Sequence, residues 1–173
     1  MIAVLVPSLI IAQDTPLSSL YDKYSGEPGF KTTEIMPGSM SFAWEAETEH
    51  PQVKEMMKDI EKIRLIRYDA ESSQASKDKI WKKIQKSASD EQYIEVMTVN
   101  AKDVQARLLI IRGTTGNTRE VALVERDKNG IMLITVTGNM NFSEMFSMEN
   151  MQNIREMAEY FMHEKGGCSH KEN

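Results

Sequence analysis

The hydrophobic pattern of this chain is most regular between Tyr93 and Gly138, where it predicts a β-meander. Val104, Ala106, Leu108 and Ile110 are apolar and alternate with the polar residues Gln105 and Arg107. Apolar runs at residues 121–124 and 131–137 follow, and the segments 113–117 and 127–130, rich in Gly, Asn and Thr, separate the runs. Residues 93–99 supply another run. Such runs joined by Asn-Gly-type turns are typical of hairpins, so we expect four consecutive antiparallel strands.

Helical spacing of apolar residues appears on both sides of the predicted meander. The first helix should begin at Thr15-Pro16, because a capping residue followed by proline is a common helix start. The inward positions of four predicted helices are Leu17, Leu20, Tyr21 and Tyr24; Val53, Met56, Met57 and Ile60; Ile80, Trp81, Ile84 and Ala88; and Met148, Met151, Ile154, Ala158, Phe161 and Met162. A short helix near Met40–Trp44 and strands at Phe30–Met36 and Ile63–Tyr68 complete the elements.

This order of elements predicts an α+β fold, in which helices pack on one face of an antiparallel β-meander sheet as a two-layer sandwich. The last helix should cover the strand face that carries Leu108 and Ile110, since residues two apart in a strand point the same way. Residues 14–165 are expected to form a single domain. The small, polar residues 166–173 are predicted to be a disordered tail.

The first 13 residues are predicted to be a signal peptide. Ile2–Ile11 is an apolar run of about ten residues, too short to span a bilayer, and Ala12-Gln13 offers a small residue for cleavage. The alternative is an apolar N-terminal strand. No later segment approaches 18 apolar residues, so no transmembrane segment is expected in the mature chain. The predicted location is the periplasm or the cell envelope.

Composition excludes some classes of function. The net charge is −5, with acidic and basic residues interspersed, whereas a nucleic-acid-binding protein would show a basic patch or stripe. The lysines at 77, 79, 82, 83 and 86 are interpreted as the solvated face of a helix. One cysteine, Cys168, excludes an internal disulfide and a cysteine-rich zinc site.

The sequence lacks the motifs of hydrolytic and phosphate-binding sites, so we predict no catalytic residues and no cofactor. The weak candidates for a metal site are His163, Cys168 and His170, whose side chains could hold Cu(I) or Zn(II). The alternative is an accidental cluster in the tail. The chain also has 13 methionines, which are interpreted as core residues rather than copper ligands.

Three segments of the chain resemble a known family. These are Leu20–Phe30, Ile63–Tyr68 and Leu133–Asn141, and they are similar in sequence and order to domain of unknown function 4252. The resemblance implies a small exported protein of the kind typical of Bacteroidetes. It does not imply any catalytic residues. Met36–Met40 departs from the family pattern through its Pro-Gly break.

These observations predict an exported, non-catalytic binding or interaction protein. Its partner would be an unidentified protein or small ligand of the cell envelope, and the sequence does not indicate an oligomeric state. The alternatives are a metal-handling envelope protein and an unrecognised hydrolase.

Overall fold

The computed structural model describes residues 14–39, 57–69 and 74–141. Within them, six antiparallel strands form one sheet in the order β1-β2-β6-β5-β4-β3. The strands are β1 Phe30–Ile35, β2 Ile60–Asp69, β3 Ile94–Asn100, β4 Gln105–Arg112, β5 Thr118–Asp127 and β6 Gly130–Met140. The helices are α1 Leu20–Tyr24 and α2 Gln74–Ala88, and a 3₁₀ turn occupies Pro37–Ser39 after β1.

The predicted meander is confirmed as β3 to β6, with each strand paired to the next. Strand β2 is longer than predicted, because it begins at Ile60, which the sequence pattern placed on a helix. That prediction was wrong for Ile60, which pairs with Gly138 of β6 and lies in the same apolar cluster as Ile63. The spacing from Met57 to Ile60 fits a helix, but the chain turns at Asp59 and enters the strand.

Gly138 lets β6 pass close to the start of β2. A Cβ atom at this position would lie 2.0 Å from the carbonyl oxygen of Asp59, closer than any side chain tolerates. The same oxygen accepts a hydrogen bond of 2.9 Å from the backbone N–H of Asn139. Glycine is required here by the close approach of two backbones.

Apolar side chains are buried on both faces of the sheet. On the helix-covered face, α1 and α2 pack over a cluster that includes Leu109, Ala122 and Leu133. On the opposite face, Leu108 and Ile110 belong to a second cluster, against which Met57 packs. The prediction that Leu108 and Ile110 share a face is confirmed, and α1 and α2 pack on the other one.

The predicted helices differ in how well their bounds agree with the structure. In α2, Ile80, Ile84 and Ala88 are buried as predicted. In α1, regular helix begins only at Leu20, although the backbone N–H of Ser18 donates to Thr15 Oγ1 at 3.3 Å, as at a helix cap. Turns occupy the residues between the cap and the helix.

The α+β class is therefore confirmed, and the two-layer arrangement stays a prediction. The predicted signal peptide, the short helix near Met40, the last helix and the tail lie outside the described residues. Within the described residues, no helix is both long enough and apolar enough to cross a membrane.

Candidate functional surfaces

Strand β3 forms one edge of the described sheet and is exposed along its whole length. Six of its seven residues pair with β4, Val96 being the exception, and no described strand lies beyond it on the other side. Ile94, Val96, Met97 and Val99 are between 38% and 47% exposed. An edge strand presents a row of backbone N–H and C=O groups to which another extended chain can hydrogen-bond.

The pairing register of β3 shows where its apolar side chains point. Met97 pairs with Leu108 and Ile94 pairs with Ile110, so these β3 side chains share the opposite face of the sheet with the buried core of β4. Yet Met97 is 46% exposed, whereas Leu108 is 3% exposed. The apolar surface of this face therefore runs outwards from the core onto the exposed edge.

The sequence of β3 does little to protect this edge. Natural edge strands are usually protected by lysine, proline, a bulge or a covering element. Strand β3 contains neither lysine nor proline, and its one charge, Glu95, accepts a hydrogen bond of 2.5 Å from Arg107. A register shift between Glu95 and Met97 supplies a bulge at Val96. By contrast, the edge strand β1 carries Lys31, which pairs with Asp69 at 2.8 Å.

A second notable group is the N-terminal anchor, which we define as Asp14, Thr15, Ser18, Arg64, Tyr93 and Glu120. Glu120 lies on the helix-covered face of β5 and is fully buried. Its carboxylate accepts hydrogen bonds from Thr15 Oγ1 and, at 2.6 Å, from the Tyr93 hydroxyl. The Tyr93 hydroxyl in turn accepts the backbone N–H of Leu17 at 3.1 Å. These bonds fix the segment before α1 to the sheet.

Burial raises the pKa of Glu120, because a carboxylate loses its hydration inside the protein. The hydrogen bonds from Thr15 and Tyr93 act in the opposite direction, since they stabilise the charged form. Burial and the charge of Glu120 together raise the pKa of Tyr93, so its hydroxyl remains a proton donor. A raised carboxyl pKa is a feature of some catalytic acids. Here the group is closed off from solvent, so the arrangement suits a structural role.

Arg64 completes the anchor from strand β2. Its Nε donates to Glu34 at 2.6 Å, and its Nη1 lies 3.1 Å from Asp14 and 3.1 Å from Ser18 Oγ. Burial disfavours the charged guanidinium, but the hydrogen bonds to Glu34 and Asp14 outweigh it and raise the pKa of Arg64. Because Arg64 is itself buried, removing one of these partners would leave its charge less compensated, so the group holds its surroundings in one arrangement.

The sequence-predicted metal candidates His163, Cys168 and His170 lie outside the described residues. In the part of the chain that the structure describes, no group of three or more His, Cys, Asp or Glu residues is placed to hold a metal ion. The predicted metal site therefore stays a prediction that the structure does not test. The features it does show, the exposed β3 edge and the N-terminal anchor, were not identified from the sequence.

A family model supports the resemblance seen in the sequence. Residues 24–148 match the model described as Domain of unknown function (DUF4252). The chain belongs to this family. The matched region of DUF4252 includes the whole described sheet, from β1 to β6, and begins at the last residue of α1. A search of curated proteins finds no match to the chain.

Proposed function

We propose that this DUF4252 protein is a non-catalytic binding protein of the periplasm or cell envelope, and that it takes up an extended strand of a partner protein along β3. The observation that carries this proposal is the exposed, apolar and lysine-free edge described above. Addition of a strand to a bare sheet edge is a common mode of peptide recognition, in which backbone hydrogen bonds supply affinity.

The side-chain pattern of β3 indicates what the partner strand should look like. Ile94, Met97 and Val99 lie on one face, so a partner strand should place apolar residues at alternate positions on that face. On the other face, Glu95 is already paired with Arg107, so a charged partner residue is not needed there. An edge of seven residues offers a small contact area, and we expect a weak or transient complex.

The location in the periplasm or envelope is supported by the apolar run Ile2–Ile11 and the small residue that follows it. For the fold, we keep the two-layer α+β sandwich as a proposal, supported by α1 and α2 packing on the same face.

Site-specific photo-crosslinking tests the proposed use of β3. Met97 is replaced by p-benzoylphenylalanine in the full chain, expressed in cells that naturally produce the protein, and illuminated cells are analysed by mass spectrometry. We expect crosslinks from position 97 to an extended segment of a different protein. The same replacement at Thr115, exposed in the hairpin between β4 and β5, is the matched control.

A blocking variant makes the test specific. Val99→Lys adds a charge to an exposed edge position, so it should change the free energy of unfolding by about 0.5 kcal/mol or less while removing the crosslink. Crosslinks that join only two copies of this chain would show self-association and contradict a different partner. No product above the Thr115 control would contradict any use of the edge.

A further inference from the structure

A groove lies at the other end of the sheet, between α2 and the turn that connects α1 to β1. It has a volume of about 430 Å³, which is within the usual size range of small-molecule sites. It is lined by Lys23, Tyr24, Glu27, Pro28, Phe30, Tyr68, Ser76, Lys79, Ile80 and Lys83. Because β1 and β3 are opposite edges of the sheet, this groove is separate from the proposed partner-binding edge.

Aromatic rings form the floor of the groove. The rings of Tyr24 and Phe30 are stacked, with centroids 4.3 Å apart and planes 11° apart. Phe30 also contacts Tyr68 with centroids 4.7 Å apart. Tyr24 and Tyr68 are buried and Phe30 is half-buried, so Phe30 is the ring on which a ligand can stack.

Three lysines from two different helices surround this floor. Lys79 and Lys83 are one turn apart on α2, and Lys23 comes from α1, with its Nζ 5.8 Å from the centre of the Tyr24 ring. Among the described residues, none of the three forms an ion pair, and the only carboxylate that lines the groove is Glu27. Like charges four residues apart on a helix repel each other. An anion between the lysines would relieve this repulsion.

Tyr24, one of the residues that line the groove, also has a buried hydroxyl that is unsatisfied within the described residues. The residue is 4% exposed, and within the described part of the chain its hydroxyl has no hydrogen-bond partner. Native proteins rarely leave a buried hydroxyl unpartnered, since it loses its hydration without a compensating hydrogen bond. The groove therefore combines three cations with a single carboxylate, beside a tyrosine whose buried hydroxyl is unsatisfied.

We propose that this groove binds a small ligand in which an oxyanion, a phosphate or a carboxylate, is attached to a ring. The ring stacks on Phe30, and the oxyanion lies between the ammonium groups of Lys23, Lys79 and Lys83. The lysines of α2, which the sequence pattern indicated as one solvated helix face, therefore fall into two groups. Lys79 and Lys83 line the groove, while Lys82 and Lys86 do not.

Phenyl phosphate, phenylacetate, inorganic phosphate and phenol are suitable probes for an NMR titration of the ¹⁵N-labelled full chain. With phenyl phosphate and phenylacetate, we expect saturable chemical-shift changes at the amides of Phe30 and of residues 79–83. Comparison of the two affinities shows whether a phosphate or a carboxylate binds better. Inorganic phosphate and phenol should each bind about tenfold more weakly or worse, because each lacks half of the recognised structure.

The double variant Lys79→Gln, Lys83→Gln should weaken binding of the better probe by about tenfold or more. The matched control, Lys82→Gln with Lys86→Gln, removes the same charge from the same helix and should change the affinity by less than about twofold. Equal losses in both variants would show unspecific attraction to a basic helix and overturn the proposal. So would equal affinity for inorganic phosphate and phenyl phosphate, or shifts confined to residues outside the groove.

Discussion

The side chain of Glu120 sets the energetics of the N-terminal anchor. It is fully buried on β5, and two hydroxyl groups donate to it. Since burial raises its pKa, the folded protein holds a proton on Glu120 at pH values where the unfolded chain has lost it. The ionised form of Glu120 therefore destabilises the fold above the folded-state pKa, and this destabilisation disappears as the pH falls to the ordinary value of 4.5.

The variant Glu120→Gln is expected to remove this pH dependence. As the pH rises from 4.5 to the raised pKa of Glu120, the native protein should lose stability relative to the variant. The largest slope that one group can give is about 1.4 kcal/mol per pH unit. Urea unfolding of both proteins at a series of pH values measures the difference, and groups common to both cancel to a first approximation.

Two further variants separate the effect of burial from that of charge. Glu91→Gln removes one exposed carboxylate and gives the background slope for loss of a charge. Asp14→Asn removes a negative charge that raises the pKa of Glu120. The pH range over which the native protein loses stability should therefore move to lower values. If the native protein instead gained stability relative to Glu120→Gln over this range, the carboxylate would be stabilised in the folded state.

Sequence patterns could not indicate the buried roles of Glu120 and Arg64. Arg64 is one of two arginines in the otherwise apolar run Ile63–Tyr68, where a polar residue is normally read as facing solvent. Its burial depends on Asp14 and Ser18, which are 50 and 46 residues away in the chain. Glu120 bonds to Thr15 over a separation of 105 residues. Only the tertiary fold brings these partners together.

Among the elements, strand β4 is informative about the core because both of its faces are buried. Leu108 and Ile110 belong to the cluster of one face, and Leu109 belongs to the cluster of the other. The alternation of apolar and polar residues ends at Arg107, and the apolar run that follows is typical of a strand covered on both sides. A helix-covered face alone does not account for this pattern.

Truncation of β4 side chains tests burial on both faces. Leu108→Ala and Leu109→Ala should each lower the free energy of unfolding by about 2–5 kcal/mol, because each removes buried methyl groups and leaves a cavity. Gln105→Ala, at the exposed end of the same strand, should change it by about 0.5 kcal/mol or less. Chemical denaturation measures all three. A small loss for Leu108→Ala together with a large one for Leu109→Ala would show that only the helix-covered face is a core.

The sequence pattern predicted where β3 to β6 lie along the chain, but not which of these strands forms an edge of the sheet. The apolar residues of β3 resemble those of a buried strand, and only the sheet order shows that β3 has a neighbour on one side. Sheet order depends on β2 pairing with β6, residues that are far apart in sequence. The groove was missed for the same reason, since its lysines come from α1 and α2, which are far apart in the chain.

At the scale of the whole molecule, the two proposed surfaces lie at opposite ends of one sheet. The β3 edge offers backbone groups and apolar side chains, while the groove beside β1 offers lysines and an aromatic ring. The N-terminal anchor lies on the same face as the groove, and it holds the segment before α1 against β2 and β5. Variants at one surface should therefore leave binding at the other unchanged.

The N-terminal anchor also limits where a predicted signal peptide can be cleaved without loss of contacts in the fold. If a signal peptide is removed after Ala12 or Gln13, the mature protein keeps Asp14 and Thr15, which bind Arg64 and Glu120. Cleavage a few residues later would leave both buried groups without these partners. N-terminal sequencing of protein purified from its native cells should therefore begin at Gln13 or Asp14. Cytosolic protein that retains Met1 would contradict export, and a start beyond Thr15 would contradict the role of the anchor in the mature fold.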